Sequence, residues 1–292
     1  IEEAGVHSGD ATMVLPCQTI SPQVMERVVD ITNQVALALQ VKGCMNLQLA
    51  VKDEEVFMLE ANPRASRTVP FISKAIGVPL AKLATKVMLG ESLRDLGHVG
   101  VARFEHVAVK ASVFPFLKLV GVDSILGPEM KSTGEVMGID KNYGAAVYKA
   151  LVSAGNKLPM QGGVYATVSD ADKAEILPIV RDLHEMGFAI YATKGTSTYL
   201  RSNGVPVTTV YKVAENVAPD ALGLMRRGEI NLIINTPTYS SGSRRDGYMM
   251  RRLAVELEIP FLTTVHGAKA TVCAIKRARQ GDLKVRDIRS YH

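Results

Sequence analysis

Between Gly163 and Gln280 short apolar runs alternate with helix-like segments, and this rhythm limits the fold more than any single residue does. Gly163 to Val168, Gly187 to Ala192, Val207 to Val210, Ile230 to Asn235 and Ile259 to Thr263 read as strands. The run I-N-L-I-I-N at 230–235 is apolar nearly throughout, so it must be covered on both faces. A helix is expected from Ser169-Asp170 to Met186, interrupted or bent at Pro178. Shorter helical segments follow Thr193 to Thr196 and span Ser243 to Leu257, and Val265 to Gln280 forms the last. Repeated β-α units with buried strands predict a parallel sheet with helices on both sides. Ligands of such sheets bind beyond the carboxyl ends of the strands. Four of those ends are polar and partly basic: Thr193-Lys194-Gly195-Thr196, Lys212, Asn235-Thr236 and Thr263-Thr264, with Lys173 placed to join them. Thr193 to Thr196 lies at a helix N-terminus, where free N–H groups face anions. The pattern predicts a phosphate pocket ringed by lysines; the alternative is a set of ordinary caps and loop polar residues.

Charge supports a division of the chain. Residues 1–155 carry 15 Lys+Arg against 16 Asp+Glu, whereas residues 156–292 carry 19 against 13. The change coincides with Gly155 to Gly163, which contains Pro159 and two adjacent glycines and reads as a linker. Domains are therefore expected at 1–155 and 156–292. The basic second half favours anionic partners. It carries no aromatic stacking platform or nucleic-acid motif, so a small phosphorylated ligand is expected and nucleic acid is not. Cys17, Cys44 and Cys273 show neither metal spacing nor a disulfide framework, which points to a reducing, cytoplasmic setting. No apolar run approaches the length of a membrane span. Ile1 is not an initiator methionine and enters directly into a motif, so a fragment of a longer polypeptide is expected.

The first half holds a second pattern. Met45, Leu47, Leu49 and Val51 alternate with Asn46, Gln48, Ala50 and Lys52, and Val56 to Asn62 alternates again after the polar break Asp53-Glu54-Glu55. Two strands around a short polar loop make an antiparallel hairpin. With the loop centred on Glu54, Gln48 opposes Glu60 and Asn46 opposes Asn62, and opposed side chains lie about 5 Å apart. Amides and a carboxylate on one face suit a hard cation such as Mg²⁺. Pro63, Arg64 and Arg67 follow at once, and guanidinium forks recognise phosphate oxygens. A metal beside two arginines suits phosphoryl transfer; the bland alternative is an edge hairpin with a solvated polar face. Elsewhere, Gly5 to Asp10 reads as a glycine-punctuated turn. A helix is expected from Ser21-Pro22 to about Val41, another from Pro79-Leu80, a strand at Val107 to Val113, an ordered loop at Gly127 to Gly138 and a helix at Asn142 to Ala154.

Three stretches together carry a family likeness: L-E-A-N-P-R-A-S-R-T-V-P-F from Leu59 with Gln48 upstream, G-V-H-S-G-D from Gly5, and G-P-E-M-K-S-T-G-E-V-M-G from Gly127. They resemble the carbamoyl phosphate synthase large-chain family, and the likeness extends through almost the whole chain. The resemblance implies an α/β fold: the C-terminal portion of an ATP-grasp domain followed by a Rossmann-like, parallel-sheet, methylglyoxal-synthase-like allosteric domain. It implies that Gln48, Glu60 and Asn62 hold Mg²⁺ or Mn²⁺ at the second ATP site, that Gly5, Val6, His7 and Ser8 contact the nucleotide, with Gln48 and Glu60 adjoining it, and that Arg64 and Arg67 border the phosphates. It implies an effector site for UMP or IMP at Lys173, Thr193, Thr196 and Lys212, beside Asn235 and Thr236. The implied activity is the ATP-dependent phosphorylation of carbamate for pyrimidine and arginine biosynthesis, with ammonia from a glutaminase small subunit, in a homo-oligomer of heterodimers. The parts that close over ATP are expected to precede Ile1, so the fragment alone is expected to be inactive. Other readings are a different ATP-grasp ligase, disfavoured by the lack of a biotin-carrier motif, and a stand-alone nucleotide-binding regulatory module. The loop T-P-T-Y-S-S-G-S-R-R-D after Asn235 lacks the adjacent aspartate of methylglyoxal synthase, which favours binding over catalysis in this domain. Glu2 and Asp10 match acids that bind ornithine in responsive members, but Ala111 stands where such members carry a third acid. Ornithine regulation is therefore not expected.

Overall fold

The computed structural model describes every residue except 3, 120, 212–214, 216 and 237–240, and the backbone alone of 241–245. The predicted parallel sheet is present. Strands β6 (Gly163–Thr167), β7 (Ala189–Thr193), β8 (Thr208–Val210), β9 (Leu232–Asn235) and β10 (Phe261–Leu262) lie in the order β10-β9-β6-β7-β8, with every pairing parallel. Helices α5 (Lys173–Glu185), α6 (Lys194–Ser202), α7 (Ala221–Arg226), α8 (Ser241–Glu256) and α9 (Val265–Arg279) connect or follow them. Alternation along the strands builds two cores. Val164, Ala166, Leu232 and Ile234 pack with Ile176, Leu183 and Ile275 on one face. Tyr165 and Ile233 pack with Leu224, Met225 and Met250 on the other. The chain first builds outward from β6 to β7 and β8, then returns to place β9 on the opposite side of β6. The crevice between the ends of β6 and β9 is thus the switch point at which such sheets bind ligands.

The first half contains β1 (Met13–Leu15), α1 (Pro22–Ala38), β2 (Asn46–Lys52), β3 (Glu55–Asn62), α2 (Thr68–Ile76), α3 (Leu80–Met88), β4 (Val107–Val113), β5 (Gly134–Asp140) and α4 (Tyr143–Ser153). Strands β1, β4 and β5 form an antiparallel sheet, with β4 in the centre. Val107, Val109 and Ala111 of β4 meet α4, while Ala108 meets Phe71 and Ala75 of α2. Helix α4 also meets α9, so Ala146 and Ala150 share a core with Ala270 and Ala274. One apolar cluster therefore spans both halves of the chain.

Several boundaries differ from expectation. The stretch Gly127 to Gly138, read as a loop, becomes strand β5 from Gly134 onward. Its glycines mimic a loop, but Gly138 is glycine for packing: a methyl there would come within 2.2 Å of Ala146 O and 2.4 Å of Ala150 N. Helix α5 starts at Lys173 and not at Ser169, because Ser169 Oγ donates to Asp172 Oδ2 in a preceding turn. Pro178 lies within α5 without ending it. Helix α1 ends at Ala38, three residues short of the expected Val41.

Candidate functional site

The hairpin pairs as expected but by an unexpected route. Asp53 and Glu54 both have positive φ (50° and 64°), which a two-residue hairpin turn of this twist requires. This turn pairs Lys52 with Glu55, Val51 with Val56 and Leu49 with Met58. Continued unbroken, it would place Leu59 opposite Gln48. A register shift after Leu49 leaves Leu59 as an extra residue, so Gln48 faces Glu60 and Asn46 faces Asn62. The bulge thus moves Glu60 and Asn62 onto the face of Gln48. Asn62 Nδ2 donates to Glu60 Oε1 at 3.0 Å, and Arg64 Nη2 donates to Asn62 Oδ1 at 3.4 Å. The available oxygens come from one carboxylate and two amides, a donor set that fits a hard divalent cation.

The other two family-like stretches lie side by side. His7 N donates to Gly127 O at 2.7 Å. The buried Asp10 receives Lys131 N at 2.7 Å and Ser132 N at 2.9 Å, one on each carboxylate oxygen. Burial alone would raise the Asp10 carboxyl, but the hydrogen bonds from Ser132 and Lys131 outweigh it and hold it below its ordinary value. Arg67 Nη1 donates to Ser132 Oγ at 3.1 Å, and Ser132 Oγ donates to Gly9 O at 3.3 Å. Arg67 is therefore seated on the 130–132 segment. His7 turns inward: its Nδ1 accepts from Gly9 N at 3.0 Å. Gly5 needs its glycine, with φ of 102°. Beneath this turn lies Lys110, whose side chain is 0% exposed and whose Nζ reaches Ser8 O, Gly9 O and, at 3.8 Å, Glu135 Oε2. Burial lowers the Lys110 ammonium, and Glu135 pulls it back in part. Glu2 spends both carboxylate oxygens on Thr12 and is pushed up by its burial.

The second site is a cavity of about 1150 Å³ at the carboxyl ends of β6, β7 and β9. Lys173, Thr193, Thr196, Asn235 and Thr236 all line it. Lys212 and part of the loop after Asn235 lie outside the described residues. Thr236 Oγ1 accepts from Ser169 N at 2.9 Å, Thr196 Oγ1 from Val168 N at 3.4 Å, and Thr167 Oγ1 lies 3.3 Å from Thr193 Oγ1. These contacts fix the threonine hydroxyls among the cavity-lining residues. Lys173 Nζ is held by Asp170 Oδ1 at 2.6 Å, and a methyl on Gly195 would stand 3.6 Å from that ammonium, at ordinary contact distance. Sequence reasoning missed Thr167, Arg201, Arg251 and Ile125, which also line the cavity. Thr167 was readable as the end of a strand. Arg251 was not, because an arginine-rich helix does not disclose which of its arginines turns inward. Ile125 comes from the first half, which no local pattern announces.

Two family models match separate stretches of the chain. Residues 2–96 match the family model "Carbamoyl-phosphate synthase L chain, ATP binding domain", and residues 175–263 match "MGS-like domain". The chain is 52% identical, over 98% of its own length, to the carbamoyl phosphate synthase large chain, C-terminal section, of Methanocaldococcus jannaschii, of which it covers 48%. It is 49% identical over its whole length to the carbamoyl phosphate synthase large chain of Methanosarcina barkeri, covering 73% of that sequence. The same identity holds against the large chain of Methanosarcina mazei, covering 27%. The chain thus spans about half of the first of these relatives and about a quarter of the third. With this identity sustained from end to end, the chain belongs to the carbamoyl phosphate synthase large chain family.

Proposed function

We propose that this chain forms the C-terminal part of the large chain of a glutamine-hydrolysing carbamoyl phosphate synthase, with residues 1–155 contributing to the second ATP site and residues 156–292 forming an effector domain. The opposition of Gln48 and Glu60, set by the bulge at Leu59, carries the reading. Gln48, Glu60 and Asn62 would hold Mg²⁺ or Mn²⁺, which supplies charge neutralisation at the ATP phosphates. Arg64 and Arg67 neutralise the phosphoryl group in transit. A carbamate oxygen attacks the γ-phosphorus and forms the new O–P bond. The bond from that phosphorus to the β–γ bridging oxygen breaks, and ADP leaves with its electron pair. The turn Gly5 to Ser8 contacts the nucleotide; the fixed bond from His7 to Gly127 and the buried Lys110 beneath support it. Ammonia comes from a partner glutaminase subunit, the setting is cytoplasmic, and the product feeds pyrimidine and arginine synthesis. Among the described residues no helix is long and apolar enough to cross a membrane.

The cavity takes a nucleoside monophosphate, UMP or IMP, with its phosphate among Lys173, Thr193 and Thr196. Couplings of this kind are worth about 1–3 kcal/mol. Ornithine does not regulate the chain: both Asp10 oxygens are engaged, and Ala111 is buried in the core against α4. Isothermal titration of ornithine should show no saturable heat, and tight binding would refute this point. For the catalytic assignment, Glu60→Ala in the full-length enzyme should abolish ATP synthesis from ADP and carbamoyl phosphate. Undiminished synthesis would reject it.

A further inference from the structure

One stretch of chain, residues 116–132, joins the cavity to Arg67. Helix α8 grips its first part with three side chains. Tyr248 Oη donates to Gly121 O at 3.2 Å, and Arg252 Nη1 donates to Phe116 O at 3.2 Å and Leu119 O at 3.1 Å. Arg251 takes Asp123 in a two-pronged grip, with Nε and Nη2 each 2.6 Å from a carboxylate oxygen. The stretch then closes on itself, because Lys131 Nζ donates to Asp123 O at 3.1 Å and Ile125 O at 2.5 Å. Its last residues, Lys131 and Ser132, are fixed on Asp10, and Ser132 receives Arg67. Asp10 and Ser132 are 1% and 6% exposed, so this end has little freedom to rearrange alone.

Arg251 belongs to both ends of this connection. It lines the cavity, yet it is 4% exposed and paired with Asp123. Gly247, one turn earlier on α8, makes room for it: a methyl there would come to 2.9 Å from Arg251 Nη1. An anion that reached Arg251 from the cavity would compete with Asp123 for the same guanidinium. A buried bidentate pair holds one geometry, and drawing away one partner leaves the other unpaired. The guanidinium would then have two alternative destinations, and a ligand that favours one would bias the equilibrium between them.

We propose that the Asp123–Arg251 pair is the switch through which a nucleotide in the cavity acts on Arg67, with Lys131, Asp10 and Ser132 as the positioning residues that carry the change. The ligand named here rests on the nucleotide reading above; the mechanical link does not. In the full-length chain, Asp123→Asn should accelerate backbone hydrogen exchange across 127–133 about tenfold or more without any ligand, because this segment loses its anchor. UMP or IMP should bind the variant about threefold or more tighter, since Arg251 no longer has a carboxylate to leave, while the nucleotide's effect on the KM for ADP in ATP synthesis from carbamoyl phosphate should fall towards none from the roughly 5–150-fold span of such couplings. Lys131→Met should lose the coupling with nucleotide affinity unchanged, because its Arg251 remains paired. A merely structural loss would weaken binding and activity together. Unchanged exchange at 127–133 in Asp123→Asn, or full coupling with nucleotide bound, overturns the proposal. Failure of the parent chain to bind either nucleotide counts against the ligand reading, and the exchange measurement then decides the link by itself.

Discussion

Gly138 has no side chain because helix α4 occupies the place where one would stand. Gly138→Ala would drive a methyl against the backbone of Ala146 and Ala150, and neither can retreat. Chemical denaturation should register a loss at or above the top of the usual overpacking range of about 1–3 kcal/mol. Asp123 makes a prediction about pH. Burial would raise its carboxyl, but Arg251 and the backbone of Ile125 hold it below the ordinary value. A lowered carboxyl contributes stability above its unfolded pKa, near 3.9, and loses that contribution as pH falls through the folded value. The gap in urea midpoint between the parent and Asp123→Asn should therefore be full near neutrality and close below about pH 4. A gap that persists in acid would mean that the pair contributes through packing and not charge. Single residues were unevenly legible from sequence. Glu60, Asn62, Arg64 and Arg67 announced themselves through a compact run of chemistry-bearing types. Asp123 and Arg251 lie 128 positions apart and become partners only through tertiary packing, so no local spacing betrays them.

At the scale of elements, the hairpin shows how a correct pairing can be reached without its cause. Strict alternation from Val56 to Asn62 places Glu60 on the face of Val56 and Met58. With the turn at Asp53-Glu54, that face meets Leu49 and Val51 and not Gln48. Only the extra residue at Leu59 changes the face, and a bulge of ordinary residues leaves no mark in composition. The parallel strands were easier to read, since an apolar run such as Ile230 to Asn235 has few alternatives. Their ends were less so, as in β10, which keeps only Phe261 and Leu262 of the expected five residues. Helix α5 offers a test of its own. Pro178 is exposed and lies six residues into the helix, where it forfeits the bond to Ala174 O and crowds that carbonyl. Pro178→Ala should stabilise the chain by about 1–3 kcal/mol in denaturant titration. A loss of stability would show that the proline's restriction of the unfolded chain outweighs its cost in the helix.

At the scale of the whole molecule, the two halves are bound by more than the segment that connects them. Ala146 and Ala150 of α4 pack with Ala270 and Ala274 of α9, and a methyl on Gly144 would come within 2.9 Å of Cys273 O. Such close approach makes the shared core sensitive to volume. Calorimetry should show one cooperative transition for the parent sequence, and Gly144→Leu, by wedging α4 from α9, should separate it into two. Charge and linker composition predicted a division here, but small residues read as ordinary helix formers and gave no sign of this contact. The cation site proposed at Gln48, Glu60 and Asn62 has a direct reporter in Mn²⁺. Electron paramagnetic resonance on the full-length chain with ADP should detect Mn²⁺ bound at this site, and Glu60→Gln should release it while ion sites elsewhere in the chain stay filled. An unchanged count of bound Mn²⁺, with unchanged affinity in the variant, would contradict the account.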